Sequence, residues 1–94
     1  MASEIDEVAL RATVLSRIVG GTDSWRVAED EAQPGGHTIS VTLEIRGNVR
    51  NGFHLVMAPE GHFTADTWHE TELDARASAH RIFGVPTDAW RSKG

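Results

Sequence analysis

EIDEVALRATVLSRIV, residues 4–19, sets how the chain opens. Ile5, Val8, Ala9, Ala12, Leu15, Ile18 and Val19 recur at spacings of three and four, the period that lines one face of an α-helix. Ser3 stands where an N-cap is needed, and Glu4, Asp6 and Glu7 fall in the first turn, where the helix dipole favours negative charge. Gly20 and Gly21 end the periodic run. The spacing predicts an amphipathic helix over residues 4–19.

Beyond it the period changes to two. SWRVAED (24–30) reads as a short strand with Trp25 and Val27 on one face, and EAQPGG (31–36) as a loop. HTISVTLEIR (37–46) alternates most cleanly: Ile39, Val41, Leu43 and Ile45 point in, and Ser40, Thr42, Glu44 and Arg46 point out. Asn51-Gly52 is a hairpin signal. A two-residue loop there would place Ile45 on the face of His54 and Val56, so parity calls for a bulge at Gly47 or a wider loop. FHLVM (53–57) and HFTAD (62–66) flank a turn. If Pro59-Glu60-Gly61 is the loop, Ala58 opposes His62, and Phe53, Leu55, Met57, Phe63 and Ala65 share one face. A final helix is predicted over about 72–83, with Thr71 and Asp74 as a shortened capping box and Ala75, Ala79, Ile82 and Phe83 as its buried stripe. Gly84 and Pro86 end it, and Trp90 folds back on the core. The expected core comprises Ile39, Val41, Leu43, Leu55, Met57, Phe63, Ala79 and Phe83.

The element order is therefore α-β-β-β-β-α. Short loops imply an antiparallel sheet of three to four strands. The expected fold is α+β, a two-layer sandwich with both helices on one face of the sheet and the other face open. With 94 residues, residues 1–94 form a single small α+β domain with one modest core. Hydrophobic residues make up 39% and charged residues 24%, an ordinary globular composition. The opening MASEIDEVALR has no basic region ahead of an apolar stretch, so no signal peptide is expected. No apolar run approaches the length of a spanning helix, and no membrane partner is expected. Cysteine is absent, which excludes disulfides and thiolate metal sites and points to the cytoplasm. The net charge of -5 argues against nucleic acid as a partner. Arginine outnumbers lysine, which stands only at Lys93, as in a GC-rich bacterial genome.

The open face gathers the candidate site. His54 is expected opposite Asp66, with Val56, His62 and Thr64 beside them, Glu44 on the neighbouring strand and Trp68 at the edge. Chemically, His54 and Asp66 could act as a base and its orienting carboxylate, or as metal ligands with His62. The favoured reading of the two is a solvated cross-strand pair, with binding by that face next. An open sheet face offers no water-excluding cleft. His69 and Glu70 precede the helix, but the zinc-protease spacing would need a second histidine where Leu73 stands. VGGTDS and PGGH lack the spacing of a phosphate loop. No catalytic residue, metal ligand or cofactor is therefore assigned. The expected binding residues are His54, His62, Asp66, Trp68, His69 and Glu44, and the expected partner is another protein. A homodimer through the open face is a further expectation of the same surface.

Three resemblances attach to these residues. FTADTWHET (63–71), followed by a helix ending in Phe-Gly-Val and then a Trp, is similar to small bacterial α/β proteins with a T-A-D-T-W-H-E-T strand-to-helix junction, a likeness that implies no activity. GFHLVMAPEGHFTADTWHETELDARASAHRIF (52–83) resembles, locally, the sheet-and-helix half of the HicB-type antitoxins, which carry a strand, a Pro/Gly loop, a G-D-T-x-E-E-A helix start and an alanine-rich helix. The N-terminal helix and the TWHET segment depart from that pattern. The resemblance implies an antitoxin-like partner of another protein. PGGHTISVTLEIRG (34–47) looks like the first loop and second strand of double-stranded RNA-binding domains, which share a helix, three strands and a helix. Their second helix opens with lysines, whereas this chain has ETELDARA (70–77), so that likeness implies topology without RNA binding. The function expected from the sequence is a small acidic, non-enzymatic protein-binding module of the antitoxin, immunity or inhibitor type. The alternative is a metal- or small-ligand-binding protein, or an enzyme, using the His/Asp cluster.

Overall fold

The computed structural model describes residues 7–21, 24–28 and 35–92. The run expected to be the first helix is instead a long strand, β1 (Val8–Gly21). It is followed by β2 (Ser24–Val27), β3 (His37–Asn48), β4 (Gly52–Pro59), β5 (Ala65–His69), α1 (Glu72–Phe83), a 3-10 turn at Thr87–Ala89 and the short β6 (Arg91–Ser92). The strands form one curled antiparallel sheet, a half-barrel in the order β2-β1-β3-β4-β5, with β6 also paired to β1. The fold is thus a six-stranded sheet with a single helix among the described residues, and the α-β-β-β-β-α sandwich with two helices is corrected. The helix-first order shared with double-stranded RNA-binding domains falls with it. The expected cap at Ser3 and the apolar Ile5 lie outside the described residues.

The physical reason is that residues 8–19 satisfy two periods at once. Read at period two, Val8, Leu10, Ala12, Val14 and Ile18 lie on one face, and all belong to the core or pack against it. Val8, Thr13, Val14, Ile18 and Val19 are β-branched, which favours extended backbone. β3 then decides between the two periods. It is apolar on one face, and β1 pairs with it in unbroken register from Val8↔Gly47 to Ile18↔His37. No local helix offers β3 that ladder.

Both hairpins keep the expected parity by means of wider loops. β3 and β4 meet as Asn48↔Gly52, leaving Val49, Arg50 and Asn51 as the loop, and this sets Ile45 opposite Leu55. The buried Asn48 organises the turn: its Oδ1 accepts from the backbone N–H of Arg50 at 3.0 Å and of Asn51 at 2.8 Å. Gly52 closes the turn at φ 88°, where a Cβ is disfavoured. Between β4 and β5 the register is Val56↔Asp66, shifted by two from the expected pairing, so every side chain keeps its face. The wider loop removes Phe63 from the sheet.

The concave face holds the core. Val41, Leu43, Ile45 and Leu55 are fully buried there, with Phe53 and Met57 beside them. α1 lies on this face, packing on β3, β4 and β5. Ala75, Ser78 and Ala79 face inward, and such small side chains let helix and sheet approach closely. Thr71 caps the helix by accepting from the Asp74 N–H at 3.0 Å, and Gly84 closes it at φ 72°. The chain then returns across the concave side, burying Val85 and Trp90 before β6 joins β1. Of the expected core, Ile39 and Phe83 are only half-buried, and Phe63 is 45% exposed. Phe63 instead packs on Trp25 at a centroid distance of 6.2 Å, and the Trp25 Nε1–H donates to its carbonyl at 2.9 Å. That contact joins β2 to the β4–β5 loop.

Candidate binding face

No described element covers the convex face of the sheet. Strand pairing arranges its side chains in two transverse rows. One runs Arg11, Glu44, Val56, Asp66 across β1, β3, β4 and β5; the other runs Ala9, Arg46, His54, Trp68. Glu44 sits between two guanidinium groups, 3.0 Å from Arg11 and 3.3 Å from Arg46. His54 Nδ1 is 3.1 Å from an Asp66 carboxylate oxygen, with side chains 52% and 59% exposed. Arg11, Glu44 and Arg46 thus alternate in sign across the face, with the His54–Asp66 pair beside them. Each exposed pair contributes only ~0–1 kcal/mol to folding. Arg46, His54, Val56 and Asp66 line a shallow depression of about 320 Å³.

Trp68 ends the second row and is 55% exposed. Two contacts hold it. Its Nε1–H donates to the Asn51 carbonyl at 3.1 Å, and its ring lies against Gly52 so closely that a Cβ there would overlap the indole. An aromatic covering a strand-end glycine fills space that no side chain occupies. The indole is therefore oriented while most of its area stays in water.

The expected site residues divide. Glu44, His54, Asp66 and Trp68 share the convex face, with Asp66 diagonal to His54 rather than directly opposite. His62 and His69 do not join them. His62 lies in the β4–β5 turn with Nδ1 3.2 Å from the Glu60 carbonyl. His69 has the opposite parity to Trp68 and pairs its Nε2 with Thr67 Oγ1 at 2.8 Å. Among the described residues, no three His, Asp or Glu side chains are grouped to hold a metal ion. Arg11 and Arg46 complete the face, and neither is among the binding residues expected from the sequence. Arg46 carried a signal, being on the outward parity of β3, whereas Arg11 could be placed only once β1 was known to be a strand.

Comparison with family models, with curated proteins and with solved structures finds no match to this chain. Among the described residues, no helix is long and apolar enough to cross a membrane.

Proposed function

We propose that this chain is a protein-binding module whose convex sheet face is the contact surface. The observation that supports this best is Trp68: an oriented indole, more than half exposed, at the end of the row that runs through Arg46 and His54 beside the acidic Glu44 and Asp66. Tryptophan is over-represented among the residues that dominate binding energy, because it brings a large area with few rotamers to lose. The charge pattern supplies specificity, since a partner must present the complementary pattern in register. The depression around His54 is shallow, and half-exposed side chains line it, so the face suits a macromolecular surface better than a reacting small molecule.

The net charge of -5 supports a basic partner drawn in by long-range attraction, as for antitoxin, immunity and inhibitor proteins. The local resemblance of residues 52–83 to HicB-type antitoxins points the same way. The lack of cysteine supports a cytoplasmic setting as part of this reading.

The test is site-specific photo-crosslinking in the source organism. Photoreactive residues at Val56 or Trp68 should give one discrete adduct, and one at Leu73, exposed on α1, should give none. Trp68→Ala should then weaken the identified partner by more than about 2 kcal/mol while lowering stability by less than about 1.5 kcal/mol. Adducts from Leu73 alone, or a Trp68→Ala chain that unfolds, would refute the reading. An adduct with a second copy of the chain would make the partner a homodimer.

A further inference from the structure

β1 is paired without a break from Val8 to Ile18 on the β3 side but only towards its two ends on the other. β6 takes Leu10 and Arg11, and β2 takes Ile18 to Gly21. The Ala28 N–H donates to the Arg17 carbonyl at 2.9 Å, which extends the β2 side by one residue. Among the described residues, Ala12–Ser16 has no ladder partner on this edge. Alternate residues of an antiparallel strand aim both backbone groups the same way. Because Arg17 aims at this edge and the register is unbroken, so do Thr13 and Leu15. Among the described residues their N–H and C=O groups form an unpaired strand template, and Leu15 above it is 75% exposed.

The gap has a shape and a charge. At its β6 end a groove of about 430 Å³ is lined by Arg11, Ala12, Thr13, Ala89, Arg91 and Ser92. Arg11 and Arg91 are direct cross-strand partners, an arrangement that repels unless an anion lies between them. Arg11 shares Glu44 with Arg46, whereas Arg91 makes no hydrogen bond or ion pair among the described residues. At the β2 end Arg26 is exposed opposite Val19. β6 and β2 stand about 20 Å apart along β1, at ~3.3 Å per residue. A second copy of the 14-residue β1 would collide with them, but a short extended segment fits.

We propose that this edge takes a short, extended, acidic peptide segment from another protein as an added strand. Its backbone would pair with Thr13 and Leu15, an apolar side chain would lie beside Leu15, and a carboxylate would sit between Arg11 and Arg91. This edge meets the convex face at Arg11 and lies across the sheet from Trp68, with β3 and β4 between β1 and β5. The chain's net charge opposes an acidic ligand only at long range, and within the ~8 Å reach of a charge at physiological salt the arginines dominate. Strand addition of this kind takes affinity from the main chain and selectivity from alternate side chains.

The probe is a fluorescein-labelled, end-capped peptide of about five residues with Glu and Val two positions apart, so that both lie on the face of Arg11 and Leu15, titrated by anisotropy with the full chain. Saturable binding is expected, weakened about tenfold or more by Arg91→Glu, since a charge-assisted contact is lost and a repulsion gained. Proline at the peptide's pairing positions should abolish binding, and a Lys/Val peptide should not bind. By hydrogen exchange, the Thr13 and Leu15 amides should be fast in the free chain and slowed by the peptide. Four outcomes overturn the proposal: no saturable binding, equal binding by a folded Arg91→Glu chain, protection of Thr13 and Leu15 in the absence of peptide, or protection that appears at β5 or around Trp68 instead.

Discussion

Substituting Gly52 by alanine tests the turn and the binding face together. The residue sits at φ 88°, and the added methyl would overlap the Trp68 ring. Two penalties should appear. Left-handed backbone disfavours any residue with a Cβ by roughly 1–2 kcal/mol, whatever surrounds it. Displacing the indole breaks its hydrogen bond to the Asn51 carbonyl, worth about 1 kcal/mol net, and uncovers the strand end. Gly52→Ala should therefore destabilise by about 2–3 kcal/mol in the native chain and by about 1–2 kcal/mol in a Trp68→Ala background, where only the backbone penalty remains. The difference, about 1 kcal/mol, is the coupling between the two sites. Urea unfolding of the four chains measures it, with Trp25 and Trp90 reporting in both backgrounds. Equal losses in the two backgrounds would mean that the indole is not seated on Gly52, and its orientation would no longer support a binding role. A loss below about 0.5 kcal/mol in both would mean that the turn is not left-handed.

Leu43 is fully buried in the middle of β3, and Leu43→Ala should destabilise by about 2–5 kcal/mol, read by the same unfolding assay. Against a total of ~5–15 kcal/mol for a small domain, that is a large fraction, and a neutral result would contradict the sheet's facing. Thr71→Ala should lower stability by about 1 kcal/mol through loss of the N-cap, with Trp68 fluorescence unchanged if helix and binding face are independent.

What was legible in the sequence was legible because it is local. The alternation in residues 37–46 is set by one strand's own two faces. The cap at Thr71 and the stop at Gly84 depend only on neighbouring backbone, and both stand where the sequence places them. The hairpin at Asn51-Gly52 was half-readable: parity demanded a bulge at Gly47 or a wider loop, but the part played by Asn48, whose side chain ties down two loop amides, is visible only in three dimensions. The β4–β5 pairing was misjudged by an even number of residues, which preserved the grouping of His54 with Asp66 while sending Phe63 across to Trp25. Phe63 illustrates the limit. Its hydrophobicity predicts burial, but its partner lies on β2, far away in sequence.

The failure at residues 8–19 has a specific source. A strand buried on one face needs apolar residues only at alternate positions, and Val8, Leu10, Ala12, Val14 and Ile18 supply them. The helical period arises because Leu15 and Val19 are also apolar, on the other face. Val19 is buried, lying where a side chain at Gly36 would touch it, so local packing accounts for it. Leu15 has no such cover and is 75% exposed. Local sequence signals and the global fold usually agree, and the places where they conflict tend to be functional or strained. Here the conflict falls at the point where β1 lacks a partner strand among the described residues. The residue that makes the segment look like a helix is thus the one that an added strand would cover.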